Sequence, residues 1–209
     1  MPTRLHLRQR LFAWMMSGGS SGYEDDSISA RYKRRLFGNL HGEVIEIGPG
    51  GGASLEYLKG RDVHWVGIEP NTYMHLYLKR EAARLGFVAD IRAGSAEKID
   101  APDASADAVI SSLVLCSVPD QAAVLREVLR VLKPGGQFVF IEHVAARGGS
   151  ARRLQNLIRP IWQFIGDGCQ PNRETWVTLQ AAGFAHLELE HFRVDAPIVS
   201  PHIAGVGTR

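Results

Sequence analysis

Apolar positions along this 209-residue chain fall into two alternating rhythms. Short runs rich in β-branched residues predict strands at 44–47, 64–68, 87–92, 107–115, 137–142, 184–192 and 198–206. Between them, apolar residues recur every three or four positions, as one face of a helix requires. Ile28, Tyr32 and Leu36 align within 26–37, Met74, Leu78 and Leu85 within 72–85, and Leu125, Val128, Leu129 and Leu132 within 121–132. A further helix over 173–182 closes at Gly183, and Pro134-Gly135-Gly136 separates the helix ending at Leu132 from the next strand. The run after Asp107 is almost uniformly apolar, as expected of a strand covered on both faces. Strand alternating with helix predicts an α/β, doubly wound, mostly parallel sheet of seven strands, the last antiparallel. Residues 150–172 read as an insertion, irregular or helical over 150–165. With no repeat and no second core, one domain is expected over 1–209, with N-terminal helices in 1–40 and the sheet in 41–209.

The N-terminal segments leave alternatives open. Leu7, Leu11, Trp14 and Met15 give a helical stripe within 5–16, a Ser/Gly break follows at 17–22, and Arg31, Lys33, Arg34 and Arg35 surround the second helix. The two segments pack on the domain, close over a ligand as a lid with Tyr23 or Tyr32 reaching it, or lie on an anionic membrane surface. The apolar run at 11–16 is too short for a secretion signal, and no run reaches the eighteen residues that span a bilayer. Two cysteines make no disulfide framework, so a reducing, cytoplasmic setting is expected, with peripheral membrane contact as the variant. A net charge of +2 does not indicate nucleic acid as a partner, and monomer and homodimer both stay open.

Candidate chemistry concentrates at 44–53. Four strand-like residues run into Gly48-Pro49-Gly50-Gly51-Gly52, where the turn needs positive φ and a ligand needs bare backbone. Twenty-one residues after Gly48 comes Glu69, where a carboxylate grips ribose hydroxyls in Rossmann-type sites. Loop and carboxylate predict a pocket for an adenosine-containing cofactor.

Four strings sharpen this. Glu46 two residues before Gly48-x-Gly50-x-Gly52, then Glu69-Pro70-Asn71, Gly94-Ser95-Ala96-Glu97 and Leu132-Lys133-Pro134-Gly135-Gly136 together resemble class I S-adenosylmethionine-dependent methyltransferases. The resemblance implies the Rossmann-like fold of that class and S-adenosylmethionine as cofactor. It implies cofactor contacts at Glu46, Gly48, Gly50, Gly52, Glu69, Pro70, Ser95, Ala96, Glu97 and Leu113. The fourth strand ends in Leu113-Val114-Leu115-Cys116, without the Asn/Asp-Pro-Pro-aromatic string of nucleobase amine methyltransferases, which points to a small-molecule acceptor.

Residues 112–118, 142–145, 166–169, 173–176 and 201–205 further resemble the alkyl-thiol S-methyltransferases of animal endoplasmic-reticulum membranes. That subfamily carries Asp-Pro-Asn where Glu69-Pro70-Asn71 stands, and a hydrophobic anchor where this chain has a short basic helix. The resemblance implies in-line methyl transfer to a thiol. A phospholipid amine, a quinone or phenol, and cofactor binding without catalysis are the rival readings. His143 is the first candidate to take the thiol proton, because imidazole titrates near neutrality, and Asp167 the second. Each has a plainer reading, a loop-fixing histidine and a turn residue. Tyr32, Cys116 and Trp162 are candidate acceptor contacts. Direct transfer needs no covalent intermediate, so Cys116 and Cys169 read as small hydrophobes, and their spacing suggests no metal.

Overall fold

The computed structural model describes residues 9–14 and 27–209. Expectations for 1–8 and 15–26, including the Ser/Gly break and Tyr23, lie outside the described residues. Residues 9–14 form helix α1. Helix α2 (Ile28–Phe37) starts after Ser27, whose hydroxyl accepts the Ala30 amide at 3.2 Å, and so begins two residues later than the apolar stripe predicts.

Seven strands follow with helices between them. They are β1 (Gly42–Ile47), α3 (Leu55–Leu58), β2 (Val63–Ile68), α4 (His75–Leu85), β3 (Asp90–Arg92), β4 (Ala106–Ser112), α5 (Gln121–Val131), β5 (Leu132–His143), α6 (Gly149–Ile165), α7 (Thr175–Gln180), β6 (His186–Arg193) and β7 (Pro201–Thr208). They build one sheet in the order β3-β2-β1-β4-β5-β7-β6. β7 is antiparallel to both its neighbours, and the remaining strands share one direction. The predicted α/β architecture, doubly wound with an antiparallel last strand, is what forms.

Side-chain alternation along the central strands explains the two-faced core. Ile45, Ile47, Val109, Phe138 and Phe140 pack with Leu125 and Val128 of α5. Val44, Ala108, Ile110, Val139 and Ile141 face the other way, against Phe37, Leu58 and Leu78. Phe138 and Phe140 have no exposed surface, and each such side chain contributes about 2–3 kcal/mol by burial.

Boundaries move where backbone geometry overrides pattern. β4 stops at Ser112 because Leu113 takes φ +62°. α5 ends at Val131, and Leu132 already pairs with Ala106, while Gln137 pairs with Ala108. The Pro134-Gly135-Gly136 turn is therefore a bulge inside β5, with Gly135 at φ +79°. The insertion is a regular 17-residue helix that accommodates Pro160.

Candidate active site

The carboxyl ends of β1, β2, β4 and β5 converge, and the site is built there. After β1 the chain turns through Gly48, Gly50 and Gly52 at φ +58°, +55° and +90°. A Cβ on Gly48 would lie 2.7 Å from the Val114 side chain, so no other residue fits that turn. The Gly50 amide donates to Glu69 Oε2 at 2.9 Å, and the Asn71 amide to Glu69 Oε1 at 2.8 Å. Glu69 is 5% exposed, and each oxygen keeps a lone pair for a further donor. Burial raises its carboxyl pKa, the two amides oppose that, and nearby Asp167 adds to it.

Glu46 sits beneath the loop. It is 1% exposed and accepts Trp65 Nε1–H at 3.0 Å. Burial pushes its carboxyl up to about 6, against the pull of Ser54, Trp65 and Lys33. Glu46 thus supports the glycine turn from below. On the far side, Ser95 donates to Glu97, whose Oε1 is buried with no hydrogen-bond partner. Ala96 is buried, and Pro70 exposed. α1 closes one wall: Asn71 Nδ2 donates to the Gln9 carbonyl at 3.1 Å, and the Arg10 guanidinium lies 5.9 Å from the Tyr73 ring centre.

A second cluster flanks this pocket beyond β4 and β5. Glu142, with no exposed surface, accepts Ser111 Oγ–H at 2.7 Å and the Val114 amide at 3.0 Å through Oε1, while Oε2 has no partner. These bonds hold Leu113 in the left-handed conformation, with the residue 47% exposed just after β4. After α6, Gly166, Asp167 (φ +48°) and Gly168 lead to Cys169. This segment lies on the loop after β4, because Gln170 N–H donates to the Cys116 carbonyl at 3.0 Å. Arg173 ties both down, donating to the Leu115 and Val118 carbonyls.

Cys169 Sγ lies 2.9 Å from His143 Nε2 and accepts Trp162 Nε1–H at 3.1 Å. Cys116 Sγ is within 4.8 Å of both Cys169 Sγ and the His143 ligand atom. All three residues are buried, and His143 Nδ1 has no partner. Hydrogen bonding to the Cys116 thiol, then to His143 and Trp162, pulls the Cys169 thiol down, and Cys116 moves up in consequence. His202 faces His143 edge-on at 6.2 Å, and burial lowers its pKa to about 4, so it is neutral.

Of the predicted residues, Gly48, Gly50 and Gly52 form the turn after β1 that Glu69 grips, Ser95, Ala96 and Glu97 follow β3, and Leu113 follows β4, while His143, Cys116 and Trp162 meet in a cluster around Cys169. Asp167 lies toward Glu69, at a turn position that tolerates positive φ. Tyr32 is not brought in: its ring stacks on Phe192 at 4.1 Å and its hydroxyl donates to Glu190 at 3.0 Å on the edge strand. Sequence reading set Cys169 aside as a small hydrophobe and gave Arg173 no role, although the strings 166–169 and 173–176 contain them. Their signal was similarity, not proximity.

Sheet order and the glycine turn after β1 are those of the class I methyltransferase fold. A methyltransferase-domain family model matches residues 45–140. The human thiol S-methyltransferase TMT1A is 37% identical over 197 residues, 86% of this chain and 79% of its own. A phosphatidylethanolamine N-methyltransferase of Cereibacter sphaeroides is 31% identical over 66% of this chain and 70% of its own. The fold is also that of a solved SAM-dependent methyltransferase from Methanosarcina mazei, with TM-score 0.63 and 19% identity, covering 80% of this chain and 92% of that one. The chain belongs to the S-adenosylmethionine-dependent methyltransferases, in the family that contains TMT1A.

Proposed function

We propose that this enzyme methylates the sulfur of a small thiol, a reading carried by its similarity to TMT1A across most of the chain. The residues present suit S-adenosylmethionine. Glu69 offers acceptor capacity for the ribose hydroxyls, the unpartnered Glu97 Oε1 suits an N–H donor such as the adenine amine, and the glycine turn leaves backbone bare. When bound, the cofactor supplies an electrophilic methyl group on a sulfonium sulfur. Leu113 walls the pocket between the two clusters.

A thiol with pKa near 8.5 is only a few per cent ionised at neutral pH, so the enzyme gains most by alignment and by removing the proton. Attack of a thiolate on a cation cancels charge, and a dry site disfavours the separated ions more than the transition state. His143 supplies the proton acceptor, and its burial keeps water away. α1, docked on the Asn71 turn, acts as a lid over the ribose side.

A phospholipid amine is the second reading. α6 exposes Leu157, Ile161 and Phe164 beside Arg153 and Arg159, and contains no acidic residue, which suits an anionic bilayer surface. The test is methyl transfer from labelled S-adenosylmethionine to alkyl thiols, hydrosulfide, a catechol, a quinol and phosphatidylethanolamine vesicles. Transfer to thiols alone supports the first reading. Transfer confined to vesicles replaces it with the second, and cofactor binding without any transfer leaves a binder.

A further inference from the structure

The sulfur of Cys169 stands between two ring nitrogens at short range. The Trp162 indole N–H can only donate, and it points at Sγ from 3.1 Å. His143 Nε2 lies 2.9 Å from the same atom. A protonated thiol is a weak acceptor, whereas a thiolate accepts both N–H groups at these separations. In the tautomer that protonates Nε2, the imidazole lone pair is on Nδ1, the buried nitrogen that has no partner. We propose that Cys169 is a resident thiolate that orients His143, and that His143 Nδ1 accepts the proton of the acceptor thiol. The inference rests on the thiol reading above.

The arrangement has the logic of a catalytic triad, in which an anion holds an imidazole in one tautomer and stabilises the imidazolium that forms. Here the anion is a sulfur and the nucleophile is the substrate. The acceptor S–H bond breaks and its proton passes to Nδ1. The sulfur's electron pair forms the new S–CH3 bond. The methyl–sulfonium bond breaks with its pair left on the departing sulfur, and the imidazolium later returns its proton to water. Cys169 touches no reacting atom and is a positioning residue.

The same three side chains could suggest a soft cation, since their ligand atoms lie within 4.8 Å of one another. The 2.9 Å nitrogen–sulfur separation argues otherwise. Two ligands of a tetrahedral zinc, at its usual bond lengths, stand about 3.6 Å apart. A metal-bound imidazole also donates its second nitrogen to a fixed partner, which Nδ1 lacks.

Other ionisable groups face the pair. Cys116 adjoins from the loop after β4, with Glu142 behind it on β5, His202 stands opposite on β7, and Arg173 acts on both thiols from before α7. The proposal requires Cys169 to ionise below the range of a free thiol in their combined field.

The full-length enzyme tests this in two measurements. The first is the pH dependence of iodoacetamide alkylation at Cys169 in the wild-type enzyme, resolved from Cys116 by peptide mass spectrometry. Half-ionisation below about 7 is expected, and a value near the ordinary 8.5 or above overturns the proposal whatever the acceptor is. The second is the pH–rate profile of thiol methylation. Cys169→Ser should lose about 100-fold at pH 7, the scale of general-base assistance, and recover toward pH 9 as the acceptor ionises unaided. Cys169→Asp should restore much of the neutral-pH rate, because a carboxylate can take the same two N–H groups. A serine variant as fast as wild type, equal losses in both variants at every pH, or a stoichiometric zinc ion lost on substitution would each overturn the assignment. A wild-type enzyme inactive on every thiol, with Cys169 still ionised at pH 7, would overturn the thiol reading and the proton-accepting role while leaving the thiolate in place.

Discussion

Leu113 holds a conformation that costs a side chain about 1–2 kcal/mol, φ +62°, just after β4. The cost is met by the bond from its amide to the Ile141 carbonyl at 2.9 Å and by Glu142 gripping the next amide. Leu113→Gly should therefore raise stability, or leave it unchanged, while weakening methyl transfer by removing the exposed wall; thermal unfolding beside a rate assay separates the two. Glu69 answers differently. On the proposed cofactor site Glu69→Ala removes a ribose acceptor, and it also leaves the Gly50 and Asn71 amides without their acceptor. Cofactor affinity should fall by about 1–3 kcal/mol in calorimetric titration. Unchanged affinity would mean that the carboxylate only fastens the loop. The longer glutamate is what reaches the Gly50 amide, so this acid ties the second strand to the turn after the first. Those identities were legible from spacing alone, because a glycine turn followed by an acid twenty-odd residues later is a local signal. The left-handed backbone of a leucine carries no such mark.

Element by element, α6 places the second cluster, and one buried side chain fastens it. Gln155, 1% exposed, accepts the Ala146 amide at 2.7 Å and donates to the Val144 and Ile198 carbonyls. Gln155→Ala would leave those buried groups unpaired at about 1–3 kcal/mol each. It should lower the denaturation midpoint and, by loosening the helix that carries Trp162, the methylation rate. A midpoint within experimental error of wild type would show that water or a shift of α6 replaces the glutamine. Beneath the glycine turn, Glu46 gives a pH signature. Its carboxyl is held at about 6 in the fold against an ordinary 4.5. Between those values the folded protein keeps a proton that the unfolded chain has released, so this group makes stability fall as pH rises from 4.5 to 6. The contribution is on the order of 1–2 kcal/mol. Glu46→Gln should flatten that slope in urea unfolding across the window, and an unaltered slope would place the titration elsewhere. Lengths of elements were the least legible feature. The apolar run of β4 continued in sequence past Ser112, where the backbone had already turned.

Across the whole molecule, a hydrogen bond between residues 62 apart in sequence links α1 to the Asn71 turn, two residues after Glu69. Removing residues 1–14 should weaken S-adenosylmethionine binding if α1 is a lid, and equal affinity in the truncated enzyme would leave α1 a packing element. The helical stripe foretold the helix but not its seat. Among the described residues, no helix is long and apolar enough to cross a membrane. By itself the sequence determined the strand–helix alternation, the two-faced core, the glycine turn and its carboxylate, all consequences of side-chain period and local backbone freedom. Tertiary structure alone decided that Cys116, His143, Trp162 and Cys169 meet. They come from a loop, a strand end, a helix and the turn after it, and no local spacing encodes which loops fold over the same end of a sheet. The buried hydrogen bonds that make a thiolate there exist only once those four segments are packed together.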